Sequence, residues 1–167
     1  MLLGETGVGK STFINALLNY FSYTTLEEAE RGELKYAVPS KFTHAGREIK
    51  VGADENESQV TGQSATQSPR AHVFAFGGHS LRIIDTPGIG DTRGIEKDKE
   101  NIENILKYIS FYQHLNAICI LLKPNSSKLT VSFRYAIKEL LVHLHKDASK
   151  ILVFLYTNSR STFYMPG

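Results

Sequence analysis

Residues 4–12 read Gly4-Glu5-Thr6-Gly7-Val8-Gly9-Lys10-Ser11-Thr12 and satisfy the pattern G-x-x-x-x-G-K-[ST] at every fixed position. Glycines let the backbone fold tightly, so that successive amides and the start of the next helix point at a β-phosphate. In that arrangement Lys10 reaches the β- and γ-oxygens and the Ser11 hydroxyl ligates magnesium. A glycine-rich turn that merely enters a helix is the alternative, and the setting between an apolar stub and an amphipathic helix argues against it. A second group, Asp85-Thr86-Pro87-Gly88, closes an apolar run. A phosphate-binding α/β fold places there the acidic residue that faces magnesium. Asp85 would act through a metal-bound water, and Gly88 offers an unobstructed amide to the γ-phosphate. Pro87 stiffens the approach, so the segment beyond can be ordered or released with that phosphate. An ordinary Asp-x-Pro-Gly turn is the competing explanation, weakened by the loop upstream.

These residues need elements to hold them. Phe13, Ile14, Leu17, Leu18 and Phe21 fall at helical spacing after Lys10, one buried stripe of a helix over Lys10 to Phe21. Thr25-Leu26-Glu27-Glu28 has capping-box form and predicts a short helix from Leu26 to about Tyr36, weakened by Gly32 and bounded by Pro39. Val51 to Ser68 is polar with few apolar anchors, which predicts a mobile surface loop. Ala71 to Phe76 and Ser80 to Ile84 are strand-like runs joined through Gly77-Gly78-His79, a hairpin signal. Ile95 to Tyr112 and Val131 to His145 are helical in period, and Ala117 to Leu122 and Ile151 to Tyr156 read as buried strands. The alternation predicts an α/β P-loop nucleotide-binding fold. It would be a three-layer sandwich whose sheet is mostly parallel, with one antiparallel hairpin strand.

Bulk properties narrow the function classes. The 167 residues are 41% apolar, enough for one domain with a core. Nineteen basic against seventeen acidic side chains leave a formal charge of +2, too little for the broad positive field of a nucleic-acid binder. Cys119 is the single cysteine, so there is no disulfide framework. An intracellular, cytoplasmic setting is expected. No apolar stretch approaches the roughly 20 residues that span a bilayer, and no signal peptide precedes the first motif. His44, His72, His79, His114, His143 and His145 show no metal-ligand spacing and read as surface or core residues. Lys97, Asp98, Lys99 and Glu100 alternate in sign and read as a solvated helix start, with a partner contact as the alternative.

Taken with Ser64-Ala65-Thr66 and Asp85-Thr86-Pro87-Gly88-Ile89-Gly90-Asp91, the opening loop resembles the septin and immunity-associated (AIG-type) branch of translation-factor-class GTPases. The similarity spans essentially the whole chain and implies Mg2+ with GTP or GDP as ligand. It implies that Thr66, nineteen residues before Asp85, is the switch threonine that closes over magnesium and the γ-phosphate, ahead of Thr61. Lys10 and Thr66 would then be the catalytic residues, and Ser11, Thr66 and Asp85 the metal site. A nucleotide-dependent dimer across the binding face is also implied. Where Ras-like enzymes carry a water-orienting glutamine after this glycine, the chain has Ile89, so intrinsic hydrolysis should be slow. Guanine selectivity in these folds usually rests on Asn/Thr-Lys-x-Asp after the fifth strand. The matching position reads Thr157-Asn158-Ser159-Arg160, with a donor-only arginine where an acceptor is wanted. Thr157 and Asn158 remain candidates for contact with the base, and a plain post-strand loop is the alternative.

Three functions compete on this reading: a slow GTPase switch, a nucleotide-loaded scaffold that hardly hydrolyses, and a P-loop ATPase or kinase. Asp-Thr-Pro-Gly is more typical of GTPases than of the third class. Residues 1–167 are expected to be a partial G domain with a shortened first strand and the last strand and helices missing. A marginal or aggregation-prone fragment would follow, because an unpaired strand edge and a bare sheet face are exposed.

Overall fold

The computed structural model describes residues 1–44, 47–52, 64–90, 92–124 and 129–159, with backbone alone at 41–44, 47–49 and 76. β1 (Leu2–Gly4), β6 (Ile118–Leu122) and β7 (Leu152–Tyr156) form a parallel sheet in the order β1-β6-β7. Leu3 faces Ile120 across the first pair, and Ile120 faces Phe154 across the second. β4 (Arg70–Phe76) and β5 (His79–Asp85) are an antiparallel hairpin. It turns at Gly77 (φ 53°) and Gly78 (φ 78°), the two left-handed positions that a two-residue turn demands. The predicted α/β class is the observed one, and the hairpin stands as a separate two-stranded sheet beside β1 rather than continuing its ladder. The extension of β5 makes the join. Thr86 Oγ1 donates to Leu2 O at 2.7 Å, Thr6 N to Ile89 O at 2.9 Å and Ile89 N to Gly4 O at 3.3 Å.

Helices cover both faces. α1 (Lys10–Ser22) buries Ile14 completely, and Phe13, Leu17, Leu18 and Phe21 line the same cluster as Leu2, Val38, Phe74, Ile83 and Leu121. The expected stripe is the observed one. Asn15 ties the next segment to this helix, accepting from Ala37 N and Val38 N and donating to Val38 O. On the other face α3 (Ile95–Ile109) and α4 (Val131–His143) bury Ile102, Ile105, Ile109, Phe133, Ala136 and Leu140. Both helices stop short of the expected ends. Beyond Leu144 a 3-10 turn (Lys146–Ile151) replaces the last α-turn and leads into β7.

Two further differences have physical causes. α2 (Leu26–Arg31) begins as a capping box, with Glu28 N donating to Thr25 Oγ1 at 3.2 Å and Thr24 N to Glu28 Oε2 at 2.9 Å. It ends at Arg31 because Gly32 packs beneath the Tyr23 ring, which an added Cβ would meet at 2.6 Å. β2 (Ser40–His44) and β3 (Arg47–Val51) pair antiparallel where no strands were expected. Their charged residues Lys41, Arg47, Glu48 and Lys50 hid the strand pattern.

Most of the polar stretch read as a loop, residues 53–63, lies outside the described residues, but its last part does not fit that reading. Ser64 and Thr66 are buried, at 3% and 4% exposure. Among the described residues β7 pairs only with β6, and Val153, Phe154 and Tyr156 are exposed on it. No described helix is long and apolar enough to cross a membrane.

Candidate functional site

The opening loop leaves the buried strand β1 and ends on α1. Gly4 admits no side chain, since a Cβ would lie 2.7 Å from Val8 Cγ1 and 3.1 Å from Leu121 O. Gly9 sits in the left-handed region (φ 104°) as the N-cap of α1, with no side chain capping the first turn and no acidic residue in it. The positive end of this thirteen-residue helix is therefore uncompensated by its own side chains and suits an anion. Val8 anchors the loop in the core. Ser11 is half-buried and Thr12 exposed in the first turn.

Lys10 is folded inward, its Nζ donating to Gly4 O at 3.0 Å and Glu5 O at 3.3 Å. It also lies close enough to Asp85 to oppose the effect of burial on that carboxyl. Asp85 is 1% exposed, and desolvation pushes its pKa above the ordinary 3.8. Attraction from Lys10 and a hydrogen bond from Thr66 pull the other way. Thr66 Oγ1 donates to Asp85 Oδ2 at 3.0 Å, so two residues nineteen apart in the chain meet in the interior. Ser64 completes the group. Its hydroxyl accepts from Gly88 N at 2.6 Å and donates to Thr66 O at 3.0 Å. Gln67 donates to Ser64 O and Ala65 O, and its own oxygen accepts from Arg93 Nη1 at 2.8 Å.

Gly88 lies directly on the opening loop. A Cβ there would meet Thr6 Oγ1 at 2.7 Å, Thr6 Cα at 2.8 Å and Thr6 N at 3.0 Å. The Thr6 hydroxyl is itself buried without a hydrogen-bond partner, an unmet polar atom in the loop read as a phosphate cradle. From behind, α3 holds the same turn. Gly90 N donates to Asp98 Oδ1 at 2.8 Å, and Asn101 Nδ2 reaches Gly88 O at 3.5 Å. The reading of residues 97–100 as a wholly solvated helix start is therefore corrected at Asp98, which is 3% exposed. Of the flanking lysines, Lys99 stays exposed beside Glu96, and Lys97 is half-buried and paired with Glu100. Asp98 and Asn101 were missed as site residues. Their spacing gave the signal, because both fall on the stripe of Ile102, Ile105 and Ile109. Glu5, read as part of the phosphate-binding loop, also has a structural contact: its Oε1 accepts from Thr130 N at 3.2 Å and Thr130 Oγ1 at 2.6 Å, joining the loop to the N-cap of α4.

Ile89 points away from this group into the core with Ile102, Ile120, Phe133 and Ala136. Thr157 Oγ1 donates to Val8 O at 2.5 Å and lies within 3.3 Å of Leu122 O, so this hydroxyl braces the opening loop. Asn158 is exposed and left-handed (φ 54°). Thr61 and Arg160 lie outside the described residues. Among the described residues no three His, Cys, Asp or Glu side chains cluster as metal ligands. A divalent cation here would depend on hydroxyls, one carboxylate and oxygens brought by a ligand.

No family model matches the chain. The GTP-binding protein A of Dictyostelium discoideum is 30% identical over 110 residues, 66% of this chain. The chain spans 17% of the length of that relative.

Proposed function

We propose that this chain is part of a G domain that binds GTP and GDP with Mg2+ at Gly4 to Thr12 and serves as a slow GTPase switch. The observation that carries the proposal is the convergence of Thr66, Asp85 and Gly88 on the loop that holds Lys10. The name of the Dictyostelium relative supports guanine nucleotide as the ligand. The uncapped α1 terminus, the buried Thr6 hydroxyl and the cradle at Gly88 fit a polyphosphate. Ser11 and Thr66 would supply hydroxyls to the metal and Asp85 a carboxylate through water, and the ion when bound neutralises charge on the phosphates.

The resting contacts define what must change on binding. The Lys10 ammonium leaves the Gly4 and Glu5 carbonyls for phosphate oxygens, and the Thr66 hydroxyl leaves Asp85. Thr66 then follows the terminal phosphate, which ties the order of the preceding segment to the nucleotide state. A septin-like or AIG-like assembly, with nucleotide-dependent pairing of two copies inside the cell, belongs to the same reading.

Burial of Ile89 favours a second reading for catalysis. No side chain directly after Gly88 is available to orient an attacking water. A nucleotide-loaded scaffold that hydrolyses little on its own is the form this takes. Extraction of bound nucleotide from the purified protein, followed by chromatography, tests the proposal. Guanine nucleotide near one equivalent is expected. Adenine nucleotide, or none together with no binding on addition of GTP, would reject it.

A further inference from the structure

Ser64 has a position that the switch reading does not require. Its side chain is 3% exposed, and its hydroxyl is used in both directions, accepting from Gly88 N at 2.6 Å and donating to Thr66 O at 3.0 Å. Gly88 N is the donor that the terminal phosphate would need, and Thr66 is the residue that would close over it. The chain thus satisfies internally, with the Ser64 oxygen, the Gly88 amide that a third phosphate has to recruit, and the same hydroxyl holds Thr66 by its carbonyl.

We propose that the Ser64 hydroxyl stands in for a γ-phosphate oxygen and so sets the preference of the site between nucleoside triphosphate and diphosphate. The inference rests on the phosphate-site reading above. A diphosphate ends within the Gly4–Thr12 loop and leaves the Ser64–Gly88 contact intact. A triphosphate must replace it, exchanging one buried hydrogen bond for another and releasing Thr66 from Ser64. The gain from the third phosphate is therefore smaller than the sum of its contacts, and the resting geometry of the Asp85–Gly90 turn is kept whenever only two phosphates are bound. Gln67 steadies the arrangement, since its amide donates to Ser64 O while Arg93 holds its carbonyl.

The test compares wild type with Ser64→Ala and Ser64→Gly, each titrated with GDP and with a non-hydrolysable GTP analogue in Mg2+. Loss of one neutral hydrogen bond from the resting state corresponds to a change of about threefold to tenfold. Both variants should bind the triphosphate analogue tighter by that factor and GDP within about twofold of wild type. A second readout is the Gly88 amide in the GDP-bound protein. It should show slow hydrogen exchange in wild type and faster exchange in Ser64→Ala. An unchanged triphosphate-to-diphosphate ratio, in variants that still bind GDP, overturns this inference and leaves the nucleotide site standing. A ratio shifted toward diphosphate also overturns it, because Ser64 would then be a ligand of the third phosphate. Wild type binding neither nucleotide rejects the site, and this inference with it.

Discussion

Substituting Gly88 by Ala tests the join between the two halves of the site. The new methyl would lie 2.7 Å from Thr6 Oγ1, 2.8 Å from Thr6 Cα and 3.0 Å from Thr6 N. Two of those atoms are backbone of the opening loop, so rotation of the Thr6 side chain cannot relieve the overlap. Either that loop or the Asp85–Gly90 turn has to move. Overpacking of this kind costs about 1–3 kcal/mol, and any shift of the turn strains its bonds to Leu2, Gly4, Thr6, Ser64, Asp98 and Asn101. A displaced turn takes the Gly88 amide away from the third phosphate. Triphosphate affinity should then fall by roughly tenfold to a hundredfold, while GDP, held by the opening loop, loses much less. Titration with both nucleotides and thermal unfolding of the ligand-free protein report the two effects separately. A Gly88→Ala protein with wild-type stability and wild-type affinity for both nucleotides would refute the packing and the role drawn from it.

Other substitutions follow from the same geometry. Burial raises the pKa of Asp85 in the folded state, so the native protein binds that proton more tightly than the unfolded chain does. Stability of wild type relative to Asp85→Asn should therefore fall as pH rises from the ordinary carboxylate range through the folded pKa, with the full cost present above it. Thermal unfolding of both proteins between about pH 4 and about pH 8 would show the slope. Asp98→Ala leaves the Gly90 amide without the carboxylate it donates to; a loss of about 1–3 kcal/mol in chemical denaturation is expected, with binding weakened as the turn loosens. Thr157→Val removes the donor to the Val8 carbonyl and should weaken GTP and GDP equally, by about threefold to tenfold in the same titrations.

The opening motif, the stripe of α1 and the α/β order were legible because each rests on a local pattern, whether fixed glycines or helical period. The hairpin turn at Gly77 and Gly78 was legible for the same reason, since few residues other than glycine tolerate its dihedral angles. What escaped were contacts made across the chain. Asp98 falls on the buried stripe of α3, but only the fold shows that Gly90 donates to it. Ser64 sat in a polar stretch whose composition predicted exposure, yet pairing with Gly88 and Thr66 carries it inside. Glu5 is a variable position of its motif, and only the fold brings Thr130 to it. The β2–β3 pair was hidden by charge, because the alternation of Glu48-Ile49-Lys50-Val51 is short and β2 carries a single large apolar residue, Phe42.

Calorimetric titration of wild type and Lys10→Ala with GTP in Mg2+ bears most directly on whether the loop holds a polyphosphate. Lys10 donates to main-chain carbonyls at rest and has no other proposed role than to meet phosphate oxygens. Wild type should bind one equivalent of GTP. Loss of charged hydrogen bonds of about 3 kcal/mol should weaken Lys10→Ala by roughly a hundredfold or more. Equal affinity of the two proteins for GTP, or no binding by wild type, would contradict the assignment of this loop as the nucleotide site.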